Sequence, residues 1–460
     1  MKHATASAVA LVSLMSLLLI PAARAGGPLL VGGPGLGTSG QAFTWDTAKP
    51  IQYRVDSGPM AKNPSGTIVV TNATGLTRVQ ALFNTWQSAP NATLAFQNAG
   101  SIQVSGAFQG GDVVTAADFN AVQGSCNSGV QSPIIFDADG SIVEDLGLPQ
   151  DVIGFASPCA VDGQSGHFVT GLALMNGRFQ DGVSSSSNYE ITAAQFDEAI
   201  THELGHFLGL DHSQINVSLL DSYPPCDADQ LAGLPLMFPI MSCQARVSAG
   251  LPMLAQDDRA WIAKLYPSAS FSSSYGTISG TVLFSDGITQ AQGVNVIARQ
   301  VDDPSTPEDE SKRIAISVVS GFRFTGNPGQ EVSGDNTGGD RTGSRDPKLI
   351  GYFEIPVPPG TYTVEVESVN PSFQGGSSVG PLGSPITIPG PPEFWDSAES
   401  AFDDTTAKGT ISVGAGQTVN DINIILNGTP PRFDDLEDGG AFLLPSAPSP
   451  AMTSENGALA

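Results

Sequence analysis

The stretch from residue 202 to residue 212, HELGHFLGLDH, constrains this chain more than any other feature. His202 and His206 are four residues apart, so on a helix their Cβ atoms lie about 5–6 Å apart on one face and both rings can reach one metal ion. Gly209 can take a positive φ, which ends the helix and turns the chain so that His212 returns as a third ligand. Three protein ligands leave one position open, as in catalytic zinc sites.

Glu203 directly follows the first histidine, where its carboxylate can reach a metal-bound water rather than the metal. Neutral imidazole nitrogens suit Zn²⁺. The chain has only five histidines in 460 residues, and three of them fall in this motif, so a chance match is rare. The alternatives are a helix with structurally satisfied histidines, or an inactive site that kept its metal. His167 lies outside the motif and is interpreted as a surface residue.

Residues 1–25 have the features of a secretory signal peptide. Lys2 gives a positive start, residues 8–20 form an apolar run, and Ala23-Arg24-Ala25 is an A-x-A cleavage site. The alternative is a membrane anchor, but the run is short for a membrane span. We therefore expect a secreted protein, extracellular or periplasmic, without membrane association after cleavage.

The acidic composition limits the partners. The net charge is −26, and it becomes −28 without the signal peptide, which carries two basic residues and no acidic one. A protein this acidic repels nucleic acid and anionic membranes, so neither is an expected partner.

Four cysteines favour two disulfides in an exported protein, with three possible connectivities. We expect Cys126–Cys159 and Cys226–Cys243, because each pair is close in sequence. A cysteine zinc site is the alternative, and no C-x-x-C spacing supports it.

Apolar spacing predicts the main elements around the motif. Thr192 and Gln195 fit a capping box at the start of the histidine helix. Phe196, Ile200 and Leu204 continue as an i, i+4 ladder that should face the core. Further helices are predicted at residues 77–88 and 254–266, and strands at residues 50–55, 133–136 and 168–175.

Two shorter features are candidate site elements. Met237 lies in a Pro-bounded turn after the motif and could form an apolar floor below the metal; Met241 is the alternative, and an ordinary core methionine is another. Asp137 and Asp139 belong to a D-x-D-G sequence that could bind Ca²⁺. The glycine comes fourth rather than sixth, however, so a plain Asp/Gly turn is the competing interpretation.

The motif and the turn after it resemble the metzincin clan of zinc endopeptidases, in which H-E-x-x-H-x-x-G-x-x-H precedes a methionine turn. The matrixin branch is the most similar. Leu210-Asp211-His212-Ser213 resembles its H-S pattern, Leu236-Met237-Phe238-Pro239 its A-L-M-Y-P pattern, and residues 256–266 its last helix. The resemblance covers residues 45–268 and is specific from residue 191 onward.

The resemblance implies a twisted mixed sheet over two long helices, with zinc bound in the cleft by the three histidines and Glu203 as general base. The chain departs from the matrixin pattern at two points. No cysteine precedes Cys126, so a propeptide cysteine switch is not expected. Phe238 replaces the tyrosine of the methionine turn.

In the C-terminal part, apolar and polar residues alternate over residues 276–300 and 352–366, which predicts strands. Pro358-Pro359-Gly360-Thr361-Tyr362 is predicted to form a turn. This pattern resembles a carboxypeptidase regulatory-like, prealbumin-type β-sandwich. Such a domain could bind extracellular matrix or a surface ligand, or could only stabilise the protein.

The expected fold class is therefore α+β, a metzincin catalytic domain followed by an all-β sandwich. The expected segments are a signal peptide (1–25), a flexible Gly-rich lead-in (26–44), a zinc peptidase domain (45–268), a linker (269–275), a β-sandwich (276–427) with a loop insertion (302–346), and a disordered tail (428–460).

The expected function is hydrolysis of protein or peptide substrates by a zinc-activated water with Glu203 as general base. A secreted binding or adhesion protein with a vestigial zinc site is the alternative. A zinc hydrolase of non-peptide substrates is a third.

Overall fold

The computed structural model describes residues 12–13, 26–33, 38–184, 189–222, 227–323, 344, 346–369 and 388–428. These residues form a seven-stranded, a four-stranded, a five-stranded and a two-stranded sheet, with helices interspersed, in agreement with the predicted α+β class. Apart from one two-residue strand, the predicted signal peptide lies outside the described residues, as does nearly all of the predicted tail. Within the described part of the chain, every helix is too short or too polar to cross a membrane.

The first part of the chain contains nine strands. They are β1 (Val12–Ser13), β2 (Thr44–Trp45), β3 (Ile51–Val55), β4 (Ala61–Lys62), β5 (Ile68–Val70), β6 (Phe96–Ser101), β7 (Pro133–Asp137), β8 (Gly154–Asp162) and β9 (His167–Asn176). The described helices are α1 (Asn72–Gln87), α2 (Ala116–Asn127), α3 (Ser141–Asp145), α4 (Ala193–Phe207), α5 (Ala228–Ala232), α6 (Gln256–Leu265), α7 (Phe271–Ser274) and α8 (Glu310–Arg313).

The seven-stranded sheet has the order β1-β8-β9-β7-β3-β6, with β2 also paired to β9. It is mixed, because β8 runs antiparallel to β9 whereas β7, β3 and β6 pair in parallel. Helices cover both faces, so β7 and β9 are almost entirely buried. Alternate residues of β7 and β9 belong to two separate core clusters, one shared with α1 and α4 and the other with α2 and α3.

The three predicted strands correspond to β3, β7 and β9, and the histidine helix to α4 with its Thr192/Gln195 capping box. Helix α1 starts five residues earlier than predicted, after the cap Thr71. Helix α2 and strand β8 were not predicted. The signal for α2 was a second capping box, in which Thr115 and Asp118 exchange hydrogen bonds.

The predicted Cys126–Cys159 disulfide is confirmed, and it joins the end of α2 to β8. Cys243 is also disulfide-bonded. Its predicted partner, Cys226, lies outside the described residues.

The chain after residue 275 forms a four-stranded and a five-stranded sheet. Their strands are β10 (Gly276–Leu283), β11 (Val294–Gln300), β12 (Ala315–Val319), β13 (Tyr352–Val357), β14 (Gly360–Ser368), β15 (Glu393–Phe394), β16 (Ile411–Val413), β17 (Thr418–Val419) and β18 (Ile424–Ile425). Strand β10 pairs with β13, β17 and β18, and β11 pairs with β12 and β14.

The segment 302–346 is not a continuous loop, contrary to the prediction, because it contains α8 and β12. All five residues of β12, AISVV, are buried, which explains why this run forms a strand within a Gly/Asp-rich surrounding. Helix α6 packs against β12, and Trp261 Nε1 donates to the Ser317 carbonyl at 2.8 Å. The two parts of the chain are thus joined through this strand.

The segment 26–44 is not a flexible lead-in in its described residues, which are mostly buried. Leu29 N donates to the Gly209 carbonyl at 2.7 Å, and Asp211 N donates to the Gly27 carbonyl at 3.0 Å. Backbone hydrogen bonds to the histidine motif therefore fix this segment in place.

Gly205, on α4, lies where a side chain would not fit. A Cβ there would overlap the Met237 sulfur and lie 3.0 Å from the Trp86 ring. We expect Gly205→Ala to lower the free energy of unfolding by about 1–3 kcal/mol, despite the better helix propensity of alanine. Urea denaturation measures this change.

Gly124→Ala on α2 is the matched control. A Cβ at Gly124 meets no atom within 4 Å, so this variant should gain about 0.5–1 kcal/mol. If both variants gained stability, the close packing below α4 would be refuted.

Candidate metal centre

Three histidine rings meet at one point at the end of α4. The helix carries His202 and His206, and Gly209, at φ +86°, turns the chain so that His212 comes back toward them. His212 Nε2 lies 3.0 Å from Nε2 of each of the other two. Three nitrogens on a tetrahedral zinc at 2.0–2.1 Å would be about 3.3 Å apart. The three side chains therefore form a group that could hold a metal ion.

The ring orientations present lone pairs to this point. His202 Nδ1 donates to the Leu236 carbonyl at 2.7 Å, and His206 Nδ1 donates to the Leu210 carbonyl at 2.8 Å. A neutral ring with its proton on Nδ1 carries a lone pair on Nε2. His212 Nε2 carries at most one proton, so at most one of its two short contacts can be a hydrogen bond. A metal ion instead accepts an electron pair from all three rings.

The three histidines are buried, with exposed fractions of 0%, 6% and 3% for His202, His206 and His212. Burial, followed by the neighbouring rings, holds the pKa of His202 and of His212 well below the ordinary value. Burial lowers the pKa of His206 to about 4. The rings are therefore neutral at neutral pH, which is the form that binds metals.

Asp258 holds the turn that orients His202. Its buried carboxylate accepts from Leu236 N at 2.8 Å, Met237 N at 3.0 Å and Ala255 N at 2.7 Å. The same Leu236 offers its carbonyl to His202. A single carboxylate at the start of α6 thus fixes the backbone that selects the tautomer of the first histidine.

Met237 lies below α4, where its sulfur occupies the space left by the missing side chain of Gly205. It is 1% exposed, and its carbonyl accepts from Ser213 N at 2.8 Å, which ties the turn to the residue after His212. Met241, the alternative, is partly exposed and lines a pocket beside His202.

The C-terminal sheets also support the loop after His212. Asn295 Nδ2 donates to the Gln214 carbonyl at 2.7 Å, Gln214 Nε2 donates to the Ser368 carbonyl at 2.9 Å, and the Ser213 and Ser317 hydroxyls lie 3.2 Å apart. Sequence analysis did not identify these residues, because nothing in their local pattern indicates a contact with the motif.

Glu203 is 1% exposed and lies on the side of α4 that faces β8. Gly154 of β8 makes room there, since a Cβ on it would lie 3.5 Å from Glu203 Cγ and 2.9 Å from Ile200 Cδ1. Gly154 was not predicted from the sequence either, since only its isolated position in an apolar run indicates a close approach.

A pocket opens directly beside His202 and encloses about 370 Å³, open solvent included. Its apolar lining consists of Ala199, Leu231, Leu234, Pro235, Leu236, Phe238, Ile240 and Met241. Glu198 and Arg246 add a polar end, where Arg246 N donates to Glu198 Oε2 at 2.6 Å. Burial raises the pKa of Glu198 to about 7. The pocket therefore presents a mainly apolar surface next to His202.

The remaining predicted residues lie elsewhere. His167 Nδ1 contacts the Thr44 carbonyl at 3.1 Å, away from the histidine group. Asp137 accepts from Ile142 N and Val143 N at the start of α3, and burial raises its pKa to about 6. Within the described ranges, neither Asp137 nor Asp139 belongs to a group of three possible metal ligands.

Asp258→Ala should weaken metal binding through the turn it holds. Three buried backbone N–H groups would lose their acceptor, so we expect a loss of about 3 kcal/mol or more in the free energy of unfolding and a 10–100-fold loss of zinc affinity. Competition with a zinc chelator and urea denaturation measure the two effects.

Asp227→Ala is the control, because Asp227 caps α5 by accepting from Gln230 N at 2.8 Å but touches no ligand-bearing turn. It should cost about 1 kcal/mol and leave zinc affinity unchanged. Equal zinc affinities in both variants would contradict the positioning role of Asp258.

The low pKa of His206 predicts how the metal-free protein responds to acid. The folded state resists protonation down to about pH 4, whereas the unfolded chain takes up the proton near its ordinary pKa of 6.5. The contribution of His206 to stability is therefore present above about pH 6.5 and is lost as the pH falls toward 4.

Thermal unfolding of chelator-treated protein between pH 7.5 and pH 4.5 tests this. On acidification, the unfolding midpoint of the wild type should fall by more than that of His206→Gln. Gln97→Ala, at an exposed position of β6, is the control, because it changes no titratable group, and it should follow the wild type at each pH. A pH-independent difference for His206→Gln would contradict the assignment.

Comparisons with known proteins add no family. No protein-family profile and no curated protein matches the chain. Among solved structures, a leucine-rich repeat protein from Bacteroides thetaiotaomicron VPI-5482 is 12% identical with a TM-score of 0.15. The match covers 35% of this chain and 14% of that protein, and a likeness this weak carries no argument about fold or function.

Proposed function

We propose that this protein is an exported zinc endopeptidase of the metzincin type, in which His202, His206 and His212 hold one Zn²⁺. The observation that carries the proposal is the convergence of three buried, neutral imidazole nitrogens beside an apolar pocket. An all-nitrogen set of three ligands suits zinc and leaves the fourth position for water or substrate. The Cys126–Cys159 disulfide fits an oxidising compartment.

The metzincin assignment is supported by the motif together with its setting. Helices α1 and α4 pack on one face of a mixed sheet, the turn at Met237 lies below α4, and α6 carries the aspartate that holds this turn. The strands after residue 275 form two sheets, in keeping with the proposed prealbumin-type sandwich.

The reaction we propose is hydrolysis of a peptide bond. When bound, Zn²⁺ lowers the pKa of its water toward about 7 and polarises the scissile carbonyl. Glu203 takes the proton of the attacking water as general base and later gives it to the leaving amine. Glu203 is buried on the α4 side that faces β8, and it directly follows His202 on the helix.

The pocket supports a proposal for the substrate class. Its lining is mainly apolar, and the His202 ring forms part of it. An apolar residue of a polypeptide, adjacent to the scissile bond, would enter it. Val369 packs with Leu234 and Phe238 behind the pocket, so the C-terminal part of the chain stabilises the specificity-determining wall.

Glu203→Ala tests the mechanism directly. This variant should keep about one zinc per chain, because Glu203 is not a ligand, and should lose casein cleavage by about 10²–10⁴-fold or more. Zinc analysis and cleavage with and without 1,10-phenanthroline give the two readouts.

Glu308→Ala, at an exposed position of the C-terminal part, is the control and should cleave like the wild type. Cleavage by Glu203→Ala at the wild-type rate would refute the general-base role. One zinc per chain without cleavage by the wild type would favour the non-catalytic binding protein.

A further inference from the structure

A second group of possible metal ligands lies in the C-terminal sheets. Glu393, Glu399 and Asp403 each offer a carboxylate oxygen, and these oxygens lie within 4.8 Å of one another. Glu393 is on β15, and the other two lie in the following segment, residues 395–410, which has no helix or strand. None of these residues takes part in the histidine centre.

In two of the three carboxylates, one oxygen accepts a backbone hydrogen bond and the second oxygen has no hydrogen-bond partner. Glu393 Oε2 accepts from Asn427 N at 3.0 Å, and Asp403 Oδ2 accepts from Ser400 N at 2.8 Å. Glu393 Oε1 and Asp403 Oδ1 are buried and accept no hydrogen bond, and Glu393 is only 1% exposed. A buried carboxylate oxygen without a partner is costly, so its presence points to a ligand.

The third carboxylate joins the segment to the sheet. Glu399 Oε1 accepts from Asp396 N at 3.0 Å, and Oε2 accepts from Ile425 N of β18 at 2.8 Å. Each oxygen keeps a further lone pair, which can face a cation. Backbone donors from two distant parts of the chain therefore orient this carboxylate toward the other two.

The negative charges are not balanced by side chains in the described structure. No ion pair between described residues involves these three acids. The nearby Lys408 ammonium lies 4.0 Å above the Phe394 ring instead. Burial, reinforced by the neighbouring carboxylates, raises the pKa of Glu393 and of Glu399 to about 7. A bound cation would remove this repulsion.

We propose that Glu393, Glu399 and Asp403 bind one Ca²⁺, which fixes segment 395–410 against β15 and β18. Ca²⁺ prefers carboxylate oxygens at about 2.3–2.6 Å, so ligands on opposite sides of it are about 4.8 Å apart, the span that contains these oxygens. Mg²⁺ requires near-octahedral geometry and keeps several waters, so it fits an all-protein cluster less well. This inference does not depend on the zinc peptidase proposal.

The test uses the full-length protein in calcium-depleted buffer, with zinc content measured before and after depletion. Saturating Ca²⁺ should raise the thermal midpoint by about 5 °C or more. The double variant Glu393→Gln/Asp403→Asn should lose this shift. Asp404→Asn, which removes a charge next to the cluster but outside it, is the matched control and should keep the shift.

A second measurement does not depend on the folding of the double variant. Tb³⁺ bound at this cluster should luminesce on excitation of Trp395, which follows Glu393 by two positions and whose backbone N–H donates to the Val364 carbonyl at 2.9 Å. Ca²⁺ should displace Tb³⁺, and Trp395→Phe should lose most of the signal.

The outcomes separate the possibilities. A calcium shift absent from the double variant, together with Trp395-dependent Tb³⁺ luminescence, supports the site. A wild type without a shift, a double variant that keeps the full shift, or luminescence unaffected by Trp395→Phe would overturn it. Displacement of Tb³⁺ by Mg²⁺ at the same concentrations as Ca²⁺ would overturn the choice of calcium. Zinc content should be the same before and after calcium depletion, so failure here leaves the histidine centre untouched.

Discussion

The structure depends on burying three neutral imidazole rings with their Nε2 atoms facing one point. Such an arrangement is unfavourable unless each ring is held and a cation accepts the lone pairs. Two rings are held through Nδ1 by the carbonyls of Leu210 and Leu236. Leu210 belongs to the turn that ends α4, and Leu236 belongs to the turn held by Asp258. The centre is therefore built from backbone segments that are themselves fixed by buried hydrogen bonds.

The loop that carries His212 is the point where the parts of the chain meet. Residues 27–29 bind it on one side by backbone hydrogen bonds, and the carbonyl of Met237 binds it from the turn. The C-terminal sheets contact it through Asn295, and Ile215 packs with apolar residues of β11 and β12. The N-terminal segment and the C-terminal sheets thus support the loop that carries His212.

Much of this fold could be predicted because its signals are local. Helix α4 follows from its capping box and apolar ladder, and β7 and β9 follow from runs of buried apolar residues. Helix α2 was missed because only Phe119, Val122 and Cys126 mark its apolar face, although its capping box was present. Strand β12 was missed because it is short, with four apolar residues and Ser317, and lies within a long polar, Gly-rich segment.

The sequence by itself determined which histidines come together, since His202 and His206 share a helix face through the 3.6-residue turn and Gly209 supplies the positive φ that returns the chain. It could not determine the pocket, the support from Asp258 or the partnerless oxygen of Glu393. Each of these depends on donors, walls and burial contributed by segments far apart in the chain. Local spacing fixes which side chains share a face, whereas only the tertiary fold decides what those side chains meet.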